Sequence, residues 1–458
     1  MGKGKLTEGK IGLRLFKMSV PMFFGLIGFA LFNFFDTKFV GELGEKPLAA
    51  ISYTVITMLV MFALAFGLGT GITASIGKAI GEQDELKVKR LTTSGLILAI
   101  ILGIFLSLIG FPTITPLFKL FGATNELLPY IFDYMELWYI GVPLIIIPII
   151  GNSAIRAQGN TLIPAVIMGV CIIANIILDY GLIFGNLGMP RLEVFGASLA
   201  TFISRFMTLV ASLGFLHFKF KMISFKNFSV KIMIESWREI LKIGLPAIGT
   251  QMVIPLAVAL VTKLASEMEY PEQLVSTLQV ASRVDFFAIA VIASLGSVLV
   301  PFIAQNFGSK KYNRIKQALK ISRWFTLIWG TIMTLFFLYI HDDIGPAFMK
   351  EDQGEMFLQY MSEFYLLVPF TFVFRMLYIV ETSSLNALQK PLITSVLTFV
   401  QMIIVYYPLA WGLSMFFGYK GIFYAFTVAT VLGGIVAVIL NNNVLKPLGK
   451  LTIEKQQQ

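Results

Sequence analysis

Charge is what this sequence has least of. Only 14% of its 458 residues are Asp, Glu, Lys or Arg, where a soluble domain carries roughly 25%. With 57% hydrophobic residues and a mean hydropathy of +0.80, a water-soluble domain is excluded, and most of the chain has lipid as its solvent. Cysteine is nearly absent. The single one, Cys171, lies inside an apolar run, so no internal disulfide and no cysteine metal cluster can form. The two histidines, His217 and His341, lie at or near the ends of apolar segments. Without an HExxH motif or a nucleophile–base pair, the chain is expected not to be an enzyme, and no cofactor is expected. The opening MGKGKLTEGK has neither the short apolar stretch nor the small-residue site of a cleaved signal. A net charge of +10 would suggest nucleic acid in a soluble protein. Here the basic residues fall in short loops between apolar runs, so they report orientation in the bilayer, and no nucleic-acid partner is expected.

What is present is a series of twelve apolar runs of helical length: roughly 14–40, 48–78, 91–118, 127–155, 160–186, 193–218, 239–266, 273–306, 315–341, 355–388, 391–417 and 421–445. Basic clusters occupy loops of one parity. They include Lys3, Lys5 and Lys10 before the first run, Lys87, Lys89 and Arg90 after the second, and Lys310, Lys311 and Arg314 after the eighth. Acids such as Glu42, Glu45, Glu267, Glu269, Asp342, Asp343, Glu351 and Asp352 occupy the others. This pattern places both termini in the cytoplasm of a multi-pass protein of the cell (inner) membrane. The halves repeat. LFKMSVP (15–21) resembles LKIGLP (241–246), IGKAIGEQDELKVKRL (76–91) resembles IAQNFGSKKYNRIKQAL (303–319), and IRAQGNTLIPAVI (155–167) resembles LNALQKPLITSVL (385–397). FGASLATF (195–202) and KGIFYAFT (420–427) form a fourth pair, and all are offset by 225–230 residues. The expected fold is therefore an all-α membrane protein of twelve transmembrane helices. Two six-helix lobes, 1–218 and 239–458, flank a cytoplasmic linker, 219–238, and are related by a parallel pseudo-twofold repeat. That plan suits a transporter working by alternating access.

A few polar residues interrupt the runs. Asp36, in NFFDTKFVGELG, lies about 5–8 residues from the outer end of the first run. Asp179 and Thr201 lie at similar distances in the fifth and sixth. At ~1.5 Å per residue all three sit roughly 10 Å below the outer surface. Asn175 and Asp179 are four apart and share a helix face. Asp36, Asn175, Asp179 and Thr201 thus form an oxygen-rich set able to hold Na⁺. They could equally hold a proton, because two nearby carboxylates in a low dielectric do not both stay ionised. The bland alternative is a near-interface acid paired with Lys38 or with backbone. The equivalent positions in the second half are Leu409 and a residue near Val261, so the set is confined to the first half. Arg283 and Asp285, then Arg375 and Glu381, lie deep in the eighth and tenth runs, where they either pair among themselves or line a cavity. The residues assigned to a substrate cavity are Asn33, Tyr139, Asn152, Arg283 and Asp285.

The stretches FFDTKFVGELG, LAFGLGTGITASIGKAIGEQD, IRAQGNTLIPA, NIILDYGLIFG and FGASLATFIS resemble the multidrug and toxic compound extrusion (MATE) family. SRVDFF and VPFIAQNFGSKKYNRIKQAL extend the likeness over nearly the whole chain. The paired aspartates are similar to those of its DinF-like branch. The resemblance implies that Asp36, Asn175, Asp179 and Thr201 form a cation site, that Asn152 lies near the cavity, and that the first helix bends at Pro21. It implies an antiporter coupled to H⁺ or Na⁺ that works as a monomer with the lipid bilayer as its partner and exports organic, often cationic amphipathic drugs or toxins. Arg375 stands where another branch carries an acid, which speaks against a second Na⁺ site. The alternative within the superfamily is a lipid-linked oligosaccharide flippase.

Overall fold

The computed structural model describes residues 6–226, 229–348 and 354–454. Lys3, Lys5, Glu351 and Asp352, used above for orientation, lie outside the described residues. Among the described residues the fold is helical throughout. In chain order come α1 (Ile11–Gly41), α2 (Glu45–Gly81), α3 (Glu85–Leu120), α4 (Leu128–Ile140), α5 (Val142–Ala157), α6 (Leu162–Phe184) and α7 (Glu193–Gly214). They are followed by α8 (Val230–Ala265), α9 (Pro271–Gly308), α10 (Tyr312–Tyr339), α11 (His341–Phe348) and α12 (Gly354–Leu367). The last four are α13 (Phe372–Ala387), α14 (Pro391–Phe399), α15 (Tyr407–Phe417) and α16 (Tyr419–Glu454). Among the described residues eleven helical segments are long and apolar enough to cross a membrane, and α4 with α5, bent by 46° at their junction, makes a twelfth when taken as one span. The twelve expected spans are therefore all present.

The internal repeat is visible in the local geometry. The α2–α3 turn ends in a C-cap with Gln83 at φ 62°, and the α9–α10 turn has Lys310 at φ 59°. In the first, the Asp84 amide reaches back to the Ala79 carbonyl; in the second, Lys311 reaches Asn306. These are the paired bonds of a left-handed helix cap. Gly159 and Gln389 occupy the same backbone region after α5 and α13. The fourth span breaks between α4 and α5, and its counterpart breaks at the short 3₁₀ turn Val368–Thr371 between α12 and α13. Backbone groups freed inside a bilayer must find partners. The Ser107 hydroxyl donates to the Tyr139 carbonyl at 2.7 Å, and Thr334 donates to the Pro369 carbonyl at 2.7 Å. Each half thus satisfies its broken helix with a hydroxyl from the preceding span. The short helices after these breaks are the hubs of their halves: α5 packs on α2, α3 and α7, and α13 packs on α9, α10 and α16.

The chain divides into two compact units, but not at the boundaries 218 and 239 expected from the sequence. One contains Val20–Ile248, and the other contains Thr7–Ser19 with Gly249–Gln458. The expected linker, 219–238, is partly helix, because α8 begins at Val230. The first part of α8 belongs to the first unit for identifiable reasons. The Trp237 indole donates to the Ser94 carbonyl at 2.8 Å, and Glu239 pairs with Lys87 at 3.1 Å. In the second unit, Arg314 donates to the carbonyls of Glu8 and Gly9. The divisions fall one residue before Pro21 and two after Pro246, the prolines of the first repeated pair. The helix α1 runs uninterrupted through Pro21, so the expected bend is not a break in the helix.

Within the first unit α2 lies against α8 so closely that only glycine fits. A Cβ on Gly71 would stand 2.6 Å from the Ile240 carbonyl oxygen and 3.0 Å from the Gly244 nitrogen. Gly71→Ala is therefore expected to lower stability by about 1–3 kcal/mol through overpacking, although alanine is the better helix former by about 1 kcal/mol. Gly169→Ala, where nothing lies within 4 Å, is the control and should be neutral or stabilising. Thermal unfolding of the two variants in detergent checks the pair.

Candidate functional site

Asp36 sits on the second half of α1, Asn175 and Asp179 on α6, and Thr201 on α7, all within the first unit. The α1–α6 approach is held by Phe39, one turn beyond Asp36, whose ring meets Phe184 edge-on at 5.9 Å between centroids. Helices α6 and α7 pack along their length. Asp36 is 8% exposed, Asn175 and Asp179 are 0%, and Thr201 is 3%. Burial of this degree would normally come with hydrogen bonds. Here it does not. Oδ1 of Asp36, both polar atoms of Asn175, both carboxylate oxygens of Asp179 and the Thr201 hydroxyl have no partner among the described residues. Lys38 is exposed and forms no ion pair with Asp36, so the interfacial pairing considered above does not occur.

Among the described residues, the one side-chain hydrogen bond to this set comes from a residue that sequence reasoning missed. The Tyr134 hydroxyl, on α4, donates to Asp36 Oδ2 at 3.2 Å. Tyr134 is fixed in turn by Ser198 of α7, whose hydroxyl donates to the Tyr134 carbonyl at 2.7 Å. A second missed residue is Arg205, one turn beyond Thr201 on α7. Its guanidinium lies over the Trp138 ring, 5.2 Å from the centroid, and interacts electrostatically with Asp36 and Tyr134. Asp179 in turn interacts with Asp36. The i,i+4 spacing from Thr201 could have flagged Arg205; nothing local distinguishes Tyr134 from its aromatic neighbours.

This donor set suits a small hard monovalent cation or a proton. Its unpartnered groups are carboxylate, amide and hydroxyl oxygens, the ligand types of hard cations. Among the described residues no three His, Cys, Asp or Glu side chains gather closely enough to hold a metal through those groups, which disfavours a transition-metal centre.

The residues assigned to a substrate cavity fare differently. Tyr139 is 1% exposed, with its ring pressed against Gly110. It is a core side chain, because the small residue on α3 leaves a slot that the ring fills. Asn33 is exposed, but its amide donates to the Phe29 carbonyl of its own helix at 2.7 Å. Asn152 is half-buried, with its oxygen unpartnered. Asp285, in the second unit, is 2% exposed and paired with Arg375 at 2.8 Å. Glu381 pairs with Arg323 rather than with Arg375. Arg283 is exposed about a third of the way along α9.

With this geometry in hand, comparison with known proteins is decisive for the family. The MatE family profile matches residues 21–181 and again 246–411, and the repeated match follows the internal duplication. The chain belongs to the MatE family. It is 32% identical over 449 residues to the FAD transporter of Shewanella oneidensis, covering 98% of each chain. It is 25% identical over 453 residues to the multidrug export protein MepA of Staphylococcus haemolyticus, covering 98% of this chain and 96% of that one. Among solved structures, the Vibrio cholerae MATE transporter VcmN superposes with a TM-score of 0.89 at 25% identity, over 95% of this chain and 97% of that one. As a MatE protein the chain is a multi-pass membrane transporter, not an enzyme.

Proposed function

We propose that this MatE protein is an antiporter that exports an organic small molecule against the inward flow of H⁺ or Na⁺, with Asp36, Asn175, Asp179 and Thr201 as the ion site. The observation that carries the reading is Asp179, fully buried with neither carboxylate oxygen hydrogen-bonded. An intramembrane carboxylate costs at least ~2.5–3.5 kcal/mol to bury, and a bound proton or cation offsets that cost. Alternating access would then follow from linkage: the ion must prefer one conformation, and substrate the other. The paired aspartates favour the DinF-like branch, and both termini are assigned to the cytoplasm by the basic loops. A single chain suffices for this mechanism, because the ion site lies within one unit.

For the substrate, the relatives' names offer two classes: multiple drugs, and FAD. Two observations favour a flavin dinucleotide. The identity to the FAD transporter, 32% over 449 residues, is higher than the 25% over 453 residues to MepA. Arg283 is a charged side chain exposed about a third of the way along α9, where a charge calls for contact with water, and it would suit a pyrophosphate. A lipid-linked oligosaccharide flippase would want several such cations. Arg375 and Arg323 are instead committed to Asp285 and Glu381.

The test is efflux from proteoliposomes preloaded with FAD or with ethidium, under an imposed H⁺ or Na⁺ gradient. Export of either probe, driven by one gradient and abolished by its collapse, is the expected result. Export that ignores both gradients would remove the coupling claim. Arg283→Gln is expected to reduce FAD efflux and to spare ethidium.

A further inference from the structure

In the second unit, the span that contains α14 and α15 does not lie evenly against its neighbour α16. Its middle, Val400–Tyr406, is a π-helix, wider than an α-helix and a common mark of a functional irregularity. Beyond it α15 packs along α16. At its first turn the span touches α16 directly. The Gln401 amide lies against Gly433, where a Cβ would stand 2.4 Å from the amide carbon. Before that contact α14 is tied elsewhere. Ser395 shares a hydrogen bond with Thr250 of α8 at 3.0 Å, and Thr398 shares one with Tyr378 of α13. The two helices therefore part from Gln401 towards the start of α14.

The parting opens a groove of about 440 Å³, a size that falls within the ~300–1,000 Å³ of sites that hold a small ligand. Leu392, Val396 and Val400 form one wall and Val436 and Leu440 the other, and every residue lining it is apolar. Leu392, Val396, Val400 and Val436 are exposed inside two membrane spans, so the groove opens to lipid. From Leu392 to Val400 the helix rises ~12 Å at ~1.5 Å per residue. One leaflet contributes ~15 Å of hydrocarbon, half of the bilayer core. Both walls end in polar residues at the same side of the membrane. Lys390, two residues before Leu392, and Asn443, three after Leu440, are exposed. Among the described residues Lys390 forms no ion pair.

We propose that this groove binds one anionic phospholipid of the cytoplasmic leaflet, with an acyl chain between α14 and α16 and the phosphate at Lys390. The leaflet follows from the orientation proposed above, which puts the α13–α14 turn in the cytoplasm. A polar ligand has nothing to bond inside the groove, and an empty groove leaves both walls without contacts on one side. A lipid tail restores those contacts over the length of one leaflet. The mouth selects the headgroup. A lysine at the membrane surface attracts anionic lipid, and Lys446, exposed further along α16, adds positive charge at the same end. The Asn443 amide can donate to phosphate or glycerol oxygens. A zwitterionic headgroup brings a cation of its own to the lysine and gains less. All of these residues belong to the second unit, so the site is independent of the Asp36–Asp179 set and of the antiport reading.

The experiment is native mass spectrometry of the purified full-length protein, released from detergent micelles that contain equal amounts of phosphatidylglycerol and phosphatidylcholine. The number and kind of lipids retained per chain are read. The wild type is expected to keep a single phosphatidylglycerol, preferred over phosphatidylcholine by about fivefold, the effect of one lysine near the surface. Lys390→Gln should still keep a lipid but lose that preference. Val436→Trp and, on the opposite wall, Val396→Trp fill the groove with an indole and should each abolish retention; two variants at exposed positions guard against a failure of either one to fold. Equal retention by the wild type and both tryptophan variants overturns the proposal. So does a wild type that keeps phosphatidylcholine as readily as phosphatidylglycerol, or a Lys390→Gln preference equal to wild type. A dimer mass in the wild type that both tryptophan variants lose would give the groove to a second copy of the chain and would overturn the lipid assignment as well.

Discussion

Replacing Asp179 with asparagine is expected to abolish gradient-driven export while leaving the protein as stable as before, or more so. The two side chains have nearly the same shape, so packing between α6 and α7 is retained. What is lost is the negative charge at a position that is 0% exposed and has no hydrogen-bond donor of its own. A residue held in place for structural reasons would show the reverse pattern. Removing a charge that is paired destabilises a protein by ~3–5 kcal/mol, whereas removing one that is buried and unpaired relieves a desolvation penalty. Export of the loaded probe should fall to the level of protein-free liposomes under either gradient, and the melting temperature in detergent should hold or rise. Asp36→Asn is expected to lose export too. It should gain less stability, because Tyr134 already donates to Asp36 Oδ2 at 3.2 Å. A marked drop in melting temperature with export intact would place Asp179 among the structural residues.

The largest expected loss of stability lies in the second unit, which holds none of the proposed ion-site residues. Glu381 is 0% exposed. Arg323 donates to both of its oxygens, at 2.6 and 2.8 Å, and the Asn441 amide donates to one of them at 2.6 Å. This planar two-point pairing is the strong form of an Arg–carboxylate contact. Arg323→Met leaves the buried carboxylate with Asn441 alone and is expected to destabilise by about 3–5 kcal/mol. Adding Glu381→Leu in the same chain should restore most of that loss, since a buried ion pair replaced by apolar side chains of similar volume is often neutral or stabilising. Denaturant or thermal unfolding of the two single variants and the double gives the coupling directly. Additive losses in the double variant would show that the two side chains act separately.

Much of this protein was legible before any coordinates. The spans could be counted because a segment long enough to cross the bilayer must be apolar along its own length, and that is a property of the segment. The internal repeat could be read for the same reason: the caps at Gln83 and Lys310, and the broken fourth and tenth spans, are encoded locally in both halves. Asp36, Asn175, Asp179 and Thr201 could be singled out because a polar side chain at depth is costly wherever it faces, and counting residues from the span ends puts them at one level.

What a span touches is another matter. It depends on how each helix is rotated and on which distant helix it meets, and neither is written in its own residues. Tertiary structure alone supplied Tyr134 as the donor to Asp36 and laid Arg205 over Trp138, one turn along α4 from Tyr134. It sent Glu381 to Arg323 and Asp285 to Arg375, where the sequence offered several pairings. It buried Tyr139 against Gly110, and assigned residues 7–19 to one unit and the start of α8 to the other. Hydropathy acts on each segment independently, whereas partner choice is settled only when all the segments pack at once.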